Sequence, residues 1–279
     1  MSSITINRAL SIGQQALQPI TTNYKNEVLW LLQKCLNINS SQLLLNGTKL
    51  LNKLENEKFN QFIKRRCNKE PLQHILESIE FYGYQFDIIQ NIFIPRPETE
   101  VFVDILKKES LTQNKVLEIG SGAGCIPIIL ELEQLADNIL SIDINTDAIK
   151  LSKKNAKQLG CTNIEFLEND IFQMRHQSKY DLIISNPPYI PLSDIQTLET
   201  EVLLYDPLSA LTDYEDGLTF YRYFAKHGKS LLAPKGFMLF EFGGRQQLNN
   251  IIQIFMEKGY KYEIFNDLNG EPRFILLKF

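Results

Sequence analysis

Cysteine, histidine and tryptophan are scarce in this chain of 279 residues, which holds four, three and one of them. Cys35, Cys67, Cys125 and Cys161 are widely spaced with no C-x-x-C pair, so neither a zinc site nor a disulfide framework is expected, and a reducing compartment is. His74, His176 and His227 are equally scattered and offer no metal-ligand spacing; surface or packing roles are expected for them. No apolar run approaches the roughly 20 residues that span a bilayer. The N-terminus has no charged stretch followed by an apolar one, so export is not expected either. The expectation is a cytoplasmic protein without metal or membrane contact. There is no internal repeat and no low-complexity tract.

Strong net charge is also missing, but the value of −4 conceals an asymmetry. Residues 1–97 carry 11 Lys/Arg against 7 Asp/Glu, while the rest carries 18 against 26. An acidic main body argues against gripping nucleic acid through its phosphates, so no direct nucleic-acid partner is expected. The block Lys64-Arg65-Arg66 reads as a solvated helix face or as a contact for an acidic partner.

What is present divides the chain. Val28, Leu29, Leu31, Leu32, Cys35 and Leu36 recur at helical spacing, as do Leu50, Leu51, Leu54, Phe59, Phe62 and Ile63, with Asn39-Ser40-Ser41 and Asn46-Gly47-Thr48 as breaks. Residues 1–75 are predicted to form a small helical bundle. Short aromatic and β-branched runs between Phe81 and Ile94, closed by Pro95-Arg96-Pro97, predict a β-hairpin linker over 76–97. Strands alternate with helices over 98–279. They are predicted at Lys115–Ile119, Ile139–Ile144, Ile164–Leu167, Tyr180–Ser185, Phe237–Phe242, Tyr260–Phe265 and Phe274–Phe279, which implies an α/β sheet, mostly parallel, with an antiparallel pair at one edge.

The first of these strands runs into Gly120-Ser121-Gly122-Ala123-Gly124. Glycines there let the backbone turn tightly and approach a ligand at the carboxyl end of a strand. The segment lacks the Gly-Lys-Ser/Thr of an ATP phosphate loop, and G-x-G-x-G is not the dinucleotide fingerprint G-x-G-x-x-G. Asp143 closes the next strand, where an acid can accept both hydroxyls of an adenosine ribose; capping the following helix is the bland alternative. Asp170 and Ile171 end a third strand with a polar-then-apolar pair suited to an adenine edge and face. Glu118 could accept from a ligand amine or support the loop.

Asn186-Pro187-Pro188-Tyr189 follows the apolar run Tyr180–Ser185. The Asn offers an amide acceptor, the prolines a rigid backbone with free carbonyls, and the Tyr a flat face. Such a turn suits an incoming –NH2 group on a planar amide or base; a sharp loop and nothing more is the alternative.

Taken together, Glu118–Gly124, Asp143, Asp170 and Asn186–Tyr189 resemble the S-adenosylmethionine-dependent methyltransferases of planar nitrogens. Three further segments narrow this to a resemblance to the HemK/PrmC family, the glutamine methyltransferases of peptide chain release factors. They are Glu70-Pro71-Leu72-Gln73-His74-Ile75, Ile94-Pro95-Arg96-Pro97-Glu98-Thr99-Glu100, and Asp206-Pro207-Leu208-Ser209-Ala210-Leu211 with Glu215-Asp216-Gly217. Two departures stand out: Leu76-Glu77-Ser78 lies where a Gly is common, and Pro127 falls early in the helix after the loop. Neither touches the chemistry.

The resemblance implies a Rossmann-like seven-stranded methyltransferase domain after a small helical domain that recognises the substrate. It implies S-adenosyl-L-methionine as donor, S-adenosyl-L-homocysteine as product, and the glutamine of a Gly-Gly-Gln loop as acceptor. Cofactor contacts are then expected from Thr99, Glu118, Gly120 to Gly124, Asp143, Asp170, Ile171 and Asn186. The substrate amide is expected on Asn186, Pro187, Pro188 and Tyr189, with Asn186, Pro187 and Tyr189 catalytic. Arg96, Thr99 and Glu100 are open between a pocket entrance and a linker anchor. Rival expectations are a ribosomal-protein glutamine methyltransferase, an adenine-specific DNA methyltransferase, or a silent binding module that keeps the fold.

Overall fold

A computed structural model describes residues 4–109, 113–174 and 178–279, so His176 lies outside the described residues. The chain forms two compact units, Met1–Ser78 with Glu199–Tyr205, and Ile79–Leu198 with Asp206–Phe279. No helix among the described residues is long and apolar enough to cross a membrane.

The first unit is helical: α1 (Ile6–Leu17), α2 (Tyr24–Leu36), α3 (Ser40–Leu45), α4 (Lys53–Cys67) and α5 (Leu72–Leu76). Local chemistry sets where α4 starts. Asn52 Oδ1 accepts from the Glu55 amide at 2.9 Å, and Glu55 Oε2 accepts from the Asn52 amide at 2.7 Å, which satisfies two end donors at once. Leu17, Val28, Leu31, Leu32, Phe59 and Ile63 are buried together. Gly13 lets the helices close up, because a Cβ there would lie 2.8 Å from Val28 Cγ1.

The basic block is neither a solvated face nor a free contact. Arg66 is buried and pairs with Glu27 at 2.6 Å and with Glu201 at 2.8 Å, while Arg65 pairs with Glu70 at 2.6 Å. Three consecutive basic residues on a helix point in different directions, and two of them turn inward onto acids. Glu201 comes from Glu199–Tyr205, a segment more than 120 residues later in the chain that completes this unit.

The second unit opens with a hairpin of β1 (Ser78–Phe81) and β2 (Tyr84–Asp87). Its turn residues Tyr82 and Gly83 have φ of 50° and 78°, the left-handed pair of a tight hairpin. Ile92-Phe93-Ile94, expected to continue the β pattern, is not a strand. Asn91 turns the chain at φ of 62°, and Ile92 and Ile94 enter the core as separate anchors. The hairpin is fastened down: Glu100 Oε1 accepts from the Tyr82 amide at 2.9 Å, and Asn155 exchanges two hydrogen bonds with the Asp87 backbone.

Next come α6 (Val101–Lys108), β3 (Gln113–Ile119), α7 (Cys125–Leu132), β4 (Ala136–Asp143), α8 (Thr146–Leu159), β5 (Ile164–Glu168) and β6 (Tyr180–Ser185). They are followed by α9 (Thr200–Tyr205, part of the first unit), α10 (Leu208–Leu211), α11 (Thr219–Leu231), β7 (Leu232–Glu241), α12 (Arg245–Met256), β8 (Lys261–Asn266) and β9 (Pro272–Lys278). Seven strands form one sheet in the order β5-β4-β3-β6-β7-β9-β8, antiparallel only where β9 meets its two neighbours. Alternate residues serve opposite faces. Val116, Leu182, Ile184 and Leu239 face one apolar cluster, and Leu117, Ile183, Met238 and Phe240 the other. Burial on both faces explains why these strands read as unbroken apolar runs.

The chain winds outward from β3 through β4 to β5, then returns to place β6 on the other side of β3. Such a reversal opens a crevice beyond the carboxyl ends of the two central strands.

Candidate active site

Register decides what shares that crevice. Ile119 pairs with Ile142 on one side and Ser185 on the other, so Gly120, Asp143 and Asn186 all emerge at one level. A cavity of about 330 Å³ lies there, lined by both motifs together with Thr99, Asp170 and Ile171.

The glycine loop is held from beneath. Gly120 and Ser121 donate their amides to the Ile142 carbonyl at 2.8 and 3.2 Å. Gly120, Gly122 and Gly124 have φ of 87°, 53° and 82°, where a side chain would be strained. Their surroundings differ. A Cβ on Gly124 would lie 2.8 Å from Ser152 Cβ, so this glycine serves helix packing, whereas around Gly122 there is open space within 4 Å. Ala123 is buried, and its carbonyl accepts from Asn155 Nδ2 at 2.8 Å. Asp143 receives the Gly122 amide at 3.0 Å on one oxygen and the Asn145 amide at 2.8 Å on the other. Each oxygen retains lone-pair capacity toward a ligand. Burial raises the Asp143 pKa, opposed by these amides. Helix capping falls to Asn145, whose side chain accepts from the Asp147 amide.

Glu118 is fully buried. One oxygen accepts from Ser141, whose hydroxyl also meets Ser121, while Oε1 has no hydrogen-bond partner among the described residues. Desolvation, with the Asp143 charge adding to it, pushes this carboxyl up to about 8. A buried acid with an orphan oxygen beneath a glycine loop favours a cationic ligand above it.

Beyond the end of β6, Asn186 Nδ2 donates to Thr99 Oγ1 at 3.2 Å, and Thr99 donates to Glu241 at 2.8 Å. The Tyr189 hydroxyl donates to the other oxygen of Glu241 at 3.4 Å, and its pKa is raised by burial and the Glu241 charge. The Tyr189 carbonyl accepts from Gln247 Nε2 at 2.6 Å, and Gln247 Oε1 accepts from the Gly243 amide at 2.9 Å. Pro187 is buried and Pro188 half-buried between them. Thr99 thus joins the wall that carries Asn186. Glu100 anchors the hairpin, and Arg96 pairs with Asp206 at 2.6 Å.

Asp170 uses one oxygen for the Phe172 amide at 2.9 Å and the other for Gln173 at 2.8 Å. Ile171 is buried, and its carbonyl takes the Tyr223 hydroxyl at 2.8 Å. Sequence patterns missed Glu241, Gln247 and two aromatics that line the cavity beyond Asp170. The rings of Phe172 and Phe220 lie 5.0 Å apart, and Phe172 is 43% exposed. An apolar ring next to an acid at a strand end was the available signal for Phe172. Glu241 and Gln247 carried none, because their partners are 142 and 58 residues away.

Comparison with known proteins identifies the family. Residues 8–76 match the family described as the PrmC N-terminal domain, and residues 97–213 match the methyltransferase small domain. A bifunctional methyltransferase of Rickettsia bellii is 33% identical over 97% of this chain, which spans only 54% of that protein; the chain covers about half of the bifunctional relatives it matches. A crystal structure of a methyltransferase from Pyrococcus furiosus shares the fold, with a TM-score of 0.53, 14% identity, and coverage of 70% of this chain and 89% of that one. Release factor glutamine methyltransferases of Fusobacterium nucleatum and Geobacter sulfurreducens are each 34% identical, over 87% and 85% of this chain and 70% and 83% of theirs. At that identity over most of this chain and more than two thirds of each relative, the chain belongs to the release factor glutamine methyltransferase family.

Proposed function

We propose that this protein transfers a methyl group from S-adenosyl-L-methionine to the side-chain amide nitrogen of the glutamine in the Gly-Gly-Gln loop of peptide chain release factors. The observation that carries the proposal is the meeting of two devices in one cavity. A Cβ on Gly120 would lie 3.9 Å from the Asn186 carbonyl oxygen, so the glycine loop and the amide-binding turn face the same space.

The residues fit the donor. Gly120 and Gly122 leave room for it, Asp143 keeps lone pairs for ribose hydroxyls, and Asp170 with Ile171 and Phe172 suits an adenine edge and face. Glu118, with its orphan oxygen, complements positive charge. When bound, the sulfonium supplies the electrophilic methyl carbon.

The chain's own residues supply position. Asn186 Oδ1 and the Pro187 carbonyl accept the two N–H hydrogens of the glutamine amide, which aims the nitrogen lone pair into the cavity. The same acceptors stabilise the positive charge that grows on nitrogen as the N–C bond forms and the S–C electron pair returns to sulfur. The acidified nitrogen then loses a proton to solvent. Tyr189 packs on the amide plane and Pro188 stiffens the turn. Residues 1–75 recognise the body of the release factor, 76–97 link, and 98–279 carry out the transfer in the cytoplasm.

Mass spectrometry of a release factor incubated with enzyme and donor is the test. A gain of one methylene on the Gly-Gly-Gln glutamine supports the proposal. An unmodified factor beside a methylated ribosomal protein or methylated DNA adenine rejects it.

A further inference from the structure

Glu241 ends β7 and is 2% exposed, yet no step above uses it. Its two oxygens reach both ends of the amide clamp, Oε2 through Thr99 to Asn186 and Oε1 directly to the Tyr189 hydroxyl. Its own carbonyl accepts from the Tyr221 hydroxyl at 2.7 Å, which fixes the strand end.

The direction of these bonds has a chemical consequence. A carboxylate can only accept, and a threonine hydroxyl has one proton to give. With Thr99 donating to Glu241, its oxygen can only accept from Asn186. The Asn186 amide must then turn its NH2 to Thr99, which leaves Oδ1 as the end that meets the substrate. A proton on Glu241 reverses the chain. Its O–H can donate to Thr99, Thr99 donates to Asn186 Oδ1, and the NH2 end is offered to a substrate NH2, donor against donor.

We infer that Glu241 is a positioning residue that acts through Thr99 to set which end of the Asn186 amide faces the substrate, with the carboxylate as the active form. The inference rests on the reading of Asn186 as acceptor for a glutamine amide. The groups around it are Arg273 from β9, Glu98 and Thr99 before α6, and the phenols of Tyr189 and Tyr221; Arg96 acts on the Tyr189 phenol. Desolvation pushes the Glu241 carboxyl up to about 7, against the Thr99 hydrogen bond and the Arg273 charge, with Glu98 raising it further. Protonation therefore belongs to the range in which the enzyme can be assayed, and activity is lost as pH falls through about 7.

Two readouts test this from pH about 5.5 to about 9. One is kcat on release factor at saturating donor. The other is the side-chain amide resonance of Asn186 in 15N-labelled protein without substrate, identified by its loss in Asn186→Ala. The expected result is an acid limb in kcat near pH 7 and a shift of the Asn186 resonance over the same range. In Glu241→Gln both pH dependences vanish, because an amide in place of the carboxyl does not titrate. Thr99→Val behaves like Glu241→Gln, while Thr99→Ser, which keeps the hydroxyl, restores the limb. An Asn186 resonance that is invariant with pH in the wild-type protein overturns the inference, as does wild-type kcat with an intact limb in Glu241→Gln. A resonance that titrates in wild type and not in Glu241→Gln, in a protein that methylates no release factor, upholds the positioning role and rejects the substrate assignment.

Discussion

Asn186 and Glu118 illustrate how the partners of a polar side chain set what it can do. Asn186 sits at a strand end where its NH2 is taken by Thr99, which leaves Oδ1 as the acceptor proposed for substrate. Asn186→Ala removes one of the two acceptors proposed for the substrate amide, and the barrier to kcat should rise by about 2–4 kcal/mol, by analogy with loss of an oxyanion-hole donor. Single-turnover kinetics at saturating donor reads this. Glu118 makes a prediction of opposite kind. Its carboxyl is pushed up to about 8 from an ordinary 4.5. Between those values the folded protein holds a proton that the unfolded chain has lost, so stability falls as pH rises through this window and levels off above it. Glu241, pushed up to about 7, contributes with the same sign. Denaturant unfolding of the ligand-free protein should therefore show a decline from pH about 5 to about 9 that is smaller in Glu118→Gln by roughly 2–4 kcal/mol. Equal declines in the two proteins would refute the assignment of the penalty to Glu118.

At the scale of elements, the turn after β6 is built from outside itself. Asp213, in the loop before α11, accepts the amides of Glu215, Gly217 and Thr219. Burial raises its pKa, but these hydrogen bonds outweigh it and hold the carboxyl below its usual range. The loop so fixed brings Gly217, at φ of 77°, against the Tyr189 carbonyl. A Cβ there would lie 2.1 Å from that oxygen. Nothing flexible can give way, since the opposing atom is backbone. Gly217→Ala should displace Asn186-Pro187-Pro188-Tyr189 and cost about 2–4 kcal/mol of stability, from the steric clash and the left-handed φ together. Methyl transfer should fall with it, while titration should show the donor still bound by the loop after β3. Loss of donor binding in a folded variant would contradict this division of labour.

At the scale of the molecule, the second unit joins at one level the ends of strands that lie up to 66 residues apart, Ile119 beside Ser185. The first unit is completed by a segment from far along the chain, through Glu201 on Arg66 and the Tyr205 hydroxyl on the Asn68 carbonyl at 3.2 Å. Arg66 is buried against Glu27, and its charge is held by that pair and Glu201 against the cost of burial. Arg66→Met strands the buried Glu27 carboxylate and should destabilise this unit by about 3–5 kcal/mol, whereas Arg66→Met with Glu27→Gln should cost less. Unfolding of both variants followed by Trp30 fluorescence checks the difference.

Local pattern alone determined a good deal. Gly120 to Gly124 after an apolar strand, Asp143 at the next strand end and Asn186-Pro187-Pro188-Tyr189 after another each carry their chemistry in contiguous residues, because turns, caps and strand runs are short-range devices. Helix α8 begins after Asn145 and ends at Gly160, where capping chemistry puts those limits. Tertiary structure decided what local pattern cannot encode. Strand order made neighbours of β3 and β6; register put Gly120 beside Asn186; and packing turned Arg65 and Arg66 inward, where charge alone suggested solvent or a partner. It also supplied Glu241 and Gln247, whose roles come from hydrogen bonds to residues 142 and 58 positions away. Such bonds form only after the sheet has assembled, and no spacing along the chain foretells them.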